Sequence, residues 1–493
     1  MSPRPDHAPG PGSSGLWYGL ALLACLSVVF INGGGLTYFD TAGYLAQGHS
    51  TLLSLGLASL PEASGTGAGA ASAPADDGVV VGSRAVVFSA ALAVLNQIWS
   101  VNILPVFYAL LLLLTVGLPA RIALRTIGLD RALAPTIALP VIVACLTALP
   151  FYVAYLMPDL FAPVLLLMLA TLAGFGPVMT WPERLLAVAL GVLAVVTHPS
   201  HLLIVAAMLP VVAIGALLVR RRGWWIGPLL VAVILAGGLG ERLLFVSAVK
   251  TIRGSEVVYQ PFLTVRVIAD GPGYAFLEDT CPDDTQPTCA LYEALQLSDD
   301  DYRLTASHIM FERSERLGSY RRLPPEVQKI VADDQLAFFF SVLRDRPFGV
   351  SFAFIRNAFL QAGKYNSIAQ TIPTTPAVDN VYKMAPQSPA WFRDQRLLDK
   401  RADLAWLYTP HRLFYALSAL GLLVLSLAPR SGLSPALRVF SLTILLGILA
   451  NALICGGISQ PSDRYGARVA FLLPLVLILI YLLRPTDPDT TGP

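Results

Sequence analysis

The stretch LWYGLALLACLSVVFINGGGLTYFDTAGYLAQGH, residues 16–49, decides the fold class. It begins with an apolar run that approaches the roughly 20 residues a helix needs to cross a bilayer, and this run ends at three glycines. Asp40 follows almost at once, with Tyr38, Phe39 and Tyr44 around it. Aromatic rings favour the membrane–water boundary, and a carboxylate at that depth is costly without a function or a partner. A solvated loop aspartate is the alternative.

The composition of the whole chain also indicates a membrane protein. Of the 493 residues, 55% are hydrophobic and 13% are charged, against about 25% charged residues in typical soluble domains. The apolar residues lie in long runs, which predicts an all-α polytopic membrane protein surrounded by membrane lipids. There is no basic domain, so nucleic acid is not expected as a partner. The predicted transmembrane helices, about ten, cover residues 16–33, 101–121, 134–155, 160–178, 185–197, 202–219, 224–246, 410–428, 438–456 and 468–484.

Short loops rich in arginine set the predicted orientation, because such loops stay in the cytoplasm. With ten spans, these arginines all fall on one side, and both termini lie there too. We call the opposite side the outer side. The arginines are Arg121, Arg125, Arg131, Arg184, Arg220, Arg221, Arg222, Arg430, Arg438 and Arg484.

Five segments follow from these spans. They are a disordered cytoplasmic tail (1–15), a membrane domain with an outer loop at 36–100 (16–246), a mostly helical extracytoplasmic domain (247–408), C-terminal transmembrane helices (409–484) and a cytoplasmic tail (485–493).

Smaller features lie within these segments. The low-complexity stretch 61–78 predicts a flexible insert. Residues 84–99 predict a helix that either lies in the interface plane or extends the second span. The extracytoplasmic domain is too polar for lipid. It has helical stretches at 325–345 and 348–362, and its Pro-rich segment 372–388 predicts an extended loop.

Two of the five cysteines bracket a polar loop. Cys281 and Cys289 enclose CPDDTQPTC, a spacing that suits a disulfide and lacks the short CxxC pairs of a zinc site. A disulfide would place this loop in an oxidising compartment. The loop falls on the outer side, which agrees with that prediction.

Polar residues that could carry chemistry gather on the outer side. A carboxylate can remove a proton from an incoming hydroxyl, and the fork of an arginine matches the oxygens of a phosphate. Together they suit group transfer from an anionic lipid. The predicted site residues are Asp40, Asp159, His198, His201, Arg84, Arg464 and Arg468.

Each of these residues also has a simpler explanation. Arg464 and Arg468, one helical turn apart, could anchor the last span at headgroup level or pair with Asp463. Asp159 could cap the fourth span. The two histidines of HPSH could be half of a metal site or could merely be hydrogen-bonded. The sequence assigns no metal ligands, and a divalent metal is the one cofactor that it leaves open.

Four motifs carry a resemblance to the GT-C superfamily of integral-membrane glycosyltransferases, which use lipid-phosphate sugar donors. They are TYFDTAGYLAQG after the first span, MPDLFAPVLLLMLA at the fourth, THPSHLL between the fifth and sixth, and DRYGARVAFLLPLVL at the last. The group includes protein mannosyltransferases and the bacterial aminoarabinose transferases for lipid A. The chain departs from many members in lacking a glutamate beside Asp40 and in having His198 where a lysine is common.

The resemblance implies roles for single residues. Asp40 would be the base that acts on the acceptor hydroxyl, and Asp159 the second acidic residue. Arg464, with Arg468, Arg84 and His198, would bind the donor phosphate, and His201 would be a polar or metal-binding neighbour.

The resulting hypothesis is an inverting glycosyltransferase of the bacterial inner membrane. It would use a polyprenyl-phosphate-linked sugar and a glycan, lipid or protein acceptor on the outer side. A transporter or flippase for lipid-linked glycans, and a non-catalytic membrane assembly protein, are the alternatives. A donor held between Asp40 and the guanidinium of Arg464 predicts a separation of about 6–12 Å between them.

Overall fold

The fold is seen in a computed structural model that describes residues 11–57, 79–82, 84–219, 221–281, 286–386 and 388–485. The predicted insert 61–78, residues 1–10 and 486–493 of the two predicted tails, and Arg220 lie outside these residues. Within them the chain is all-α apart from two short strands. The predicted fold class is therefore confirmed. The first helix begins at Pro11, earlier than the sequence predicts.

The described part of residues 11–253 forms ten α-helices. They are α1 (Pro11–Asn32), α2 (Phe39–Ser54), α3 (Val86–Ile98), α4 (Leu104–Ile127), α5 (Leu133–Ala144), α6 (Leu149–Ala154), α7 (Phe161–Phe175), α8 (Trp181–Val196), α9 (Pro199–Leu218) and α10 (Ile226–Arg253).

The remaining α-helices of the described chain begin at Phe262. They are α11 (Phe262–Ala269), α12 (Pro272–Thr280), α13 (Cys289–Gln296), α14 (Ala306–Phe311), α15 (Pro325–Asp333), α16 (Gln335–Asp345), α17 (Pro347–Ala362), α18 (Ile368–Thr371), α19 (Thr375–Met384), α20 (Tyr408–Leu427), α21 (Pro435–Ile458), α22 (Asp463–Ala470) and α23 (Leu472–Leu483).

Eight helical stretches of the described chain are long and apolar enough to cross a membrane. The other two predicted spans are shorter helices. The predicted span 134–155 divides into α5 and α6, because Pro150 in the first turn of α6 has no N–H to continue the helix. The predicted span 185–197 is the 16-residue α8. The eight stretches are Ser14–Asn32, Val101–Ile127, Pro158–Val178, Pro199–Leu218, Ile226–Ile252, Ala405–Leu427, Pro435–Ile458 and Asp463–Leu483.

The region predicted to be extracytoplasmic, residues 247–408, has a hydrophobic core of its own. Buried side chains from α11 to α17, Leu277 and Phe338 among them, pack together apart from the main membrane core. Cys281 and Cys289 are joined in a disulfide with a Cα–Cα distance of 5.3 Å, and both lie in this core. A two-stranded parallel sheet of β1 (Val79–Val81) and β2 (Glu256–Val258) links the first outer loop to this region.

Two local predictions are settled by the helices. The Pro-rich segment 372–388 was expected to be an extended loop, and this is wrong, because Thr375–Met384 forms α19. Its apolar face, which includes Val378 and Val381, is buried, and α19 packs on α2.

The helix α3 is separate from α4, since Ser100 caps a short turn between them. The predicted helical stretches 325–345 and 348–362 correspond to α15–α17.

One backbone contact places the start of α2 beside the start of α7. The N–H of Leu36 donates to the carbonyl of Ala154, and the N–H of Leu156 donates to the carbonyl of Leu36. Gly35 allows this close approach, since a Cβ there would lie 2.6 Å from the Leu156 side chain and would force that side chain to move. The loop that carries Asp40 is thereby fixed next to the loop that carries Asp159.

Candidate active site

The centre of the site is an ion pair between Asp159 and Arg464, residues that are 305 positions apart. Arg464 Nε lies 2.9 and 3.0 Å from the two oxygens of Asp159, and Arg464 Nη2 lies 2.8 Å from Oδ2. The Asp159 side chain is fully buried and the Arg464 side chain is 7% exposed. Two parallel N–H donors on one carboxylate fix both position and angle, so Asp159 holds Arg464 rigidly.

Backbone contacts hold the start of α22 in place. The hydroxyl of Tyr152 donates to the Arg464 carbonyl at 2.8 Å, and the Arg464 N–H donates to the Gln370 side chain at 3.0 Å. Asn451 donates to the carbonyl of Tyr465 at 2.8 Å. Three separate elements therefore fix the backbone from which the Arg464 side chain extends.

Asp40 is the accessible carboxylate of the site. It lies in the first turn of α2, where the helix dipole favours a negative charge. Its Oδ1 accepts a hydrogen bond from Arg84 Nη2 at 3.0 Å, and its Oδ2 lies 3.6 Å from Arg464 Nη1. The Asp40 side chain is 43% exposed, whereas Asp159 is not exposed at all. Of the two acids, Asp40 alone can meet a substrate directly.

Arg84 reaches Asp40 across a glycine. A Cβ on Gly43 would lie 2.5 Å from the Arg84 guanidinium carbon, so the side chain of Arg84 passes directly over this position. The same guanidinium lies over the ring of Tyr44, 5.8 Å from its centroid. Gly43 and Tyr44 together fix the course of Arg84.

Arg468 extends the cluster toward the histidine turn. Arg468 Nη1 lies 3.6 Å from Asp159 Oδ1, and Nη2 donates to Asn451 Oδ1 at 2.9 Å and to Ser200 Oγ at 3.3 Å. Ser200 Oγ is in turn 2.8 Å from His198 Nδ1. Three arginines, Arg84, Arg464 and Arg468, thus face two aspartates, and the excess positive charge suits an anionic ligand.

The histidine turn supplies a neutral imidazole. The backbone N–H of Ser200 donates to His198 Nδ1 at 3.2 Å, so Nδ1 is an acceptor and the ring proton is on Nε2. Burial, then the neighbouring His201 and Arg468, hold the pKa of His198 well below its usual value. His198 can therefore donate one hydrogen bond, but it carries no charge for a phosphate near neutral pH.

His201 is separated from this chain of contacts. Its Nδ1 lies 2.7 Å from the Ala194 carbonyl, which makes Nδ1 the donor. Its Nε2 is buried and has no hydrogen-bond partner. In the part of the chain that the structure describes, no group of three or more His, Cys, Asp or Glu residues could hold a metal ion.

Aromatic rings surround Arg464. Its guanidinium carbon lies 5.1 Å from the ring centroid of Tyr38 and 5.8 Å from those of Tyr155 and Tyr465. Burial raises the pKa of the Tyr38 hydroxyl, so this ring stays neutral at physiological pH. Ring faces attract a guanidinium, and they keep water away from the Asp159–Arg464 pair.

Of two cavities in the described chain, the smaller is lined in part by residues of this site. A small one of about 40 Å³ is lined by Arg84, His198, Arg242 and Tyr259, among others, and has room for a few water molecules. A larger one of about 610 Å³ is lined by residues of 366–374 and 399–405. The small cavity joins Arg84 to the histidine turn.

The structure brings together most of the residues that the sequence singles out. Asp40, Asp159, Arg84, Arg464 and Arg468 form one connected cluster, and His198 joins it through Ser200. The expected gap of about 6–12 Å between Asp40 and Arg464 is wrong, because the two groups are 3.6 Å apart. The pairing of Arg464 with Asp463 is also wrong, since Arg464 pairs with Asp159. Asp463 instead accepts from the N–H of Asn366 at 2.9 Å.

Several contributors were not found from the sequence. Asn451 was detectable, since a polar amide in an apolar span needs a partner in the protein. Ser200 lies within the HPSH turn, but its contact with Arg468 is visible only in the folded structure. Gln370 lies in a region where the sequence analysis found no motif and no charge pattern.

No protein-family model matches the chain, and no curated protein sequence matches it. Among solved structures, the crystal structure of ArnT from Cupriavidus metallidurans bound to undecaprenyl phosphate is similar to this chain. The two are 14% identical, and the match covers 91% of this chain and 78% of that one, with a TM-score of 0.35.

Proposed function

We propose that this protein is an integral-membrane glycosyltransferase of the GT-C type, which moves a sugar from a polyprenyl phosphate to an acceptor on the outer side of the membrane. One observation carries the proposal. The accessible carboxylate of Asp40 lies between the guanidiniums of Arg84 and Arg464, at 3.0 and 3.6 Å. A base flanked by phosphate-binding groups is what transfer from a phosphate to a hydroxyl requires.

The proposed reaction is a single displacement. The acceptor hydroxyl oxygen attacks the anomeric carbon of the donor sugar, and the bond between that carbon and the phosphate oxygen breaks. The phosphate leaves with the bonding electron pair, and Asp40 takes the hydroxyl proton. Attack from the face opposite the phosphate inverts the anomeric centre. Arg84 and Arg464 offset the charge that develops on the departing phosphate.

Asp159 has a different part in this proposal. Its oxygens accept from Arg464 and it has no exposed surface, so it does not reach a substrate. It acts as a positioning residue that aims Arg464 and offsets its charge. Sequence reasoning assigned both acids to catalysis, and the contacts favour Asp40 as the base.

The proposed location is the bacterial inner membrane, with both termini in the cytoplasm and the site on the outer side. The Cys281–Cys289 disulfide supports this side, because disulfides persist in oxidising compartments. The state of these two cysteines in cells tests it. Thiols that react with a maleimide without prior reduction would place the region 247–408 in the cytoplasm and reverse the proposed orientation.

The transfer proposal is tested with Asp40→Asn in the full chain, purified and reconstituted in liposomes. A panel of polyprenyl-phosphate-linked sugars is offered with glycan, lipid and peptide acceptors. We expect transfer to fall by about 10²–10⁴-fold, the usual contribution of a general base. Asp403→Asn is the matched control, since Asp403 pairs with Lys400 on the surface, and it should keep full activity.

Donor binding is measured separately with a fluorescent polyprenyl phosphate. Asp40→Asn should retain binding, whereas Arg84→Gln should weaken it by roughly tenfold or more, as expected for one charged hydrogen bond. Near-normal transfer by Asp40→Asn would contradict the assigned base. A lipid flippase would be indifferent to this carboxylate, so movement of the lipid across the bilayer at the parent rate in Asp40→Asn would favour that alternative.

A further inference from the structure

A stripe of large apolar side chains lies on the outward face of α17. Phe348, Phe352, Ile355 and Phe359 are 52–89% exposed. At about 100° of rotation per residue, these four positions fall within an arc of roughly 60°. The segment therefore carries a narrow, continuous hydrophobic surface on a helix that the sequence places in a polar outer region.

The opposite face of α17 packs against α21. The buried residues of this face, Val350, Ala353, Asn357 and Gln361, recur at helical spacing. The contact is close because two glycines of α21 leave room for it. A Cβ on Gly456 would lie 2.5 Å from the carbonyl oxygen of Asn357. The contact fixes α17 beside the end of α21 that carries these glycines.

The position of α21 indicates that lipid faces the apolar stripe of α17. Helix α21 is one of the stretches long and apolar enough to cross a membrane, and its own Leu449 and Leu453 are exposed. These side chains must meet lipid in a membrane-spanning helix. Because α17 packs against this helix, its outward stripe lies beside a membrane-spanning segment.

The neighbouring helix enlarges this surface. Leu336 and Phe340 of α16 are 57% and 61% exposed. Soluble proteins rarely expose contiguous apolar patches of this kind without a membrane or a partner to cover them. Phenylalanine and leucine on one face of a helix are typical of segments that bury that face in the acyl-chain boundary.

We infer that α16 and α17 dip into the outer leaflet of the bilayer, with Phe348, Phe352, Ile355 and Phe359 in contact with lipid acyl chains. The extracytoplasmic region is then anchored to the membrane through this surface. The expectation that residues 247–408 lie wholly outside lipid changes accordingly. This inference depends on the packing of α17 and not on the proposed enzymatic activity.

The test places a fluorescent probe at single positions of the full chain in liposomes. Phe352→Cys and Phe359→Cys are labelled with NBD maleimide, and Ser314→Cys, in the exposed charged loop 312–316, is the control. The parent chain gives the background from its three free cysteines. Lipids with a spin label on the acyl chain are expected to quench probes 352 and 359 at least twofold more than probe 314. Aqueous iodide should quench only probe 314.

Two results would overturn the inference. Probes at 352 and 359 that iodide quenches as strongly as probe 314 would place the stripe in water. Probes shielded from both quenchers, with shielding that disappears on dilution of the protein in the membrane, would show that a second copy of the chain covers α17.

Discussion

Replacing Asp159 with asparagine should destabilise the protein as a whole. Asp159 is fully buried, holds Arg464 at 2.8–3.0 Å and lies 3.6 Å from Arg468. The substitution leaves two buried guanidiniums without their shared carboxylate. Removing one partner of a buried ion pair costs about 3–5 kcal/mol, because the remaining charge stays out of water without compensation.

The expected shift in melting temperature follows from chain length. Unfolding entropy near the midpoint is about 2.1 cal/mol/K per residue, or about 1 kcal/mol/K for a chain of this size, so Tm should fall by about 3–5 °C. Unfolding of a membrane protein that keeps some helices has a smaller entropy, and the fall is then larger. The intrinsic fluorescence of the seven tryptophans reports the transition in detergent or nanodiscs.

Two comparisons make the result specific. Asp403→Asn removes an exposed partner, its side chain being 64% exposed, and should change stability by about 0–1 kcal/mol. The double variant Asp159→Leu with Arg464→Met should recover part of the loss, because the closest unpaired charge is gone. If Asp159→Asn melts within 1 °C of the parent chain, the pair does not stabilise the fold and Asp159 does not hold Arg464.

Two further predictions concern the edges of the cluster. Gly43→Ala should displace the Arg84 guanidinium, since the added Cβ would lie 2.5 Å from it, and binding of a polyprenyl phosphate should therefore weaken. Gly19 has open space around it, so the control Gly19→Ala should leave binding unchanged. The pKa of His198 is lowered in the folded chain, so below about pH 6.5 the unfolded chain binds more protons than the folded chain does. Tm should therefore fall as the pH drops from 7 to 5, and His198→Gln should flatten that fall. An unchanged slope would contradict an imidazole that stays neutral in the folded chain.

The broad architecture was readable from the sequence because a bilayer constrains it strongly. A spanning helix must satisfy every backbone group internally, so long apolar runs indicate helices with few alternatives. Two of the departures have local causes. Pro150 breaks one predicted span into α5 and α6, and the Pro-rich segment became α19 because its apolar residues recur at helical spacing. Proline in the first turn of a helix is well tolerated, and Pro376 lies there in α19.

The cluster was predictable as a set of residues but not as a geometry. Asp40, Asp159, Arg464 and Arg468 stand out because charges next to apolar spans need a reason to be there. The sequence does not indicate whether Asp40 or Asp159 would be the buried acid. That difference arises from the bridge between Leu36 and the segment after α6, which has no sequence pattern of its own. The distance between Asp40 and Arg464 was overestimated for the same reason.

Arg464 is bound more tightly by Asp159 than by Asp40. This difference indicates how a donor lipid would bind in the proposed site. Arg464 makes three short contacts with Asp159 and one contact of 3.6 Å with Asp40. The contact with the exposed carboxylate is therefore the weaker of the two. A phosphate arriving beside Arg84 and Arg464 would displace Asp40 from Arg464 and leave Asp159 in place. Asp40 would keep its 3.0 Å hydrogen bond from Arg84 unless the phosphate also took over Arg84, and with both arginines on the phosphate Asp40 would be released toward the acceptor hydroxyl, so binding of the donor would itself prepare the base.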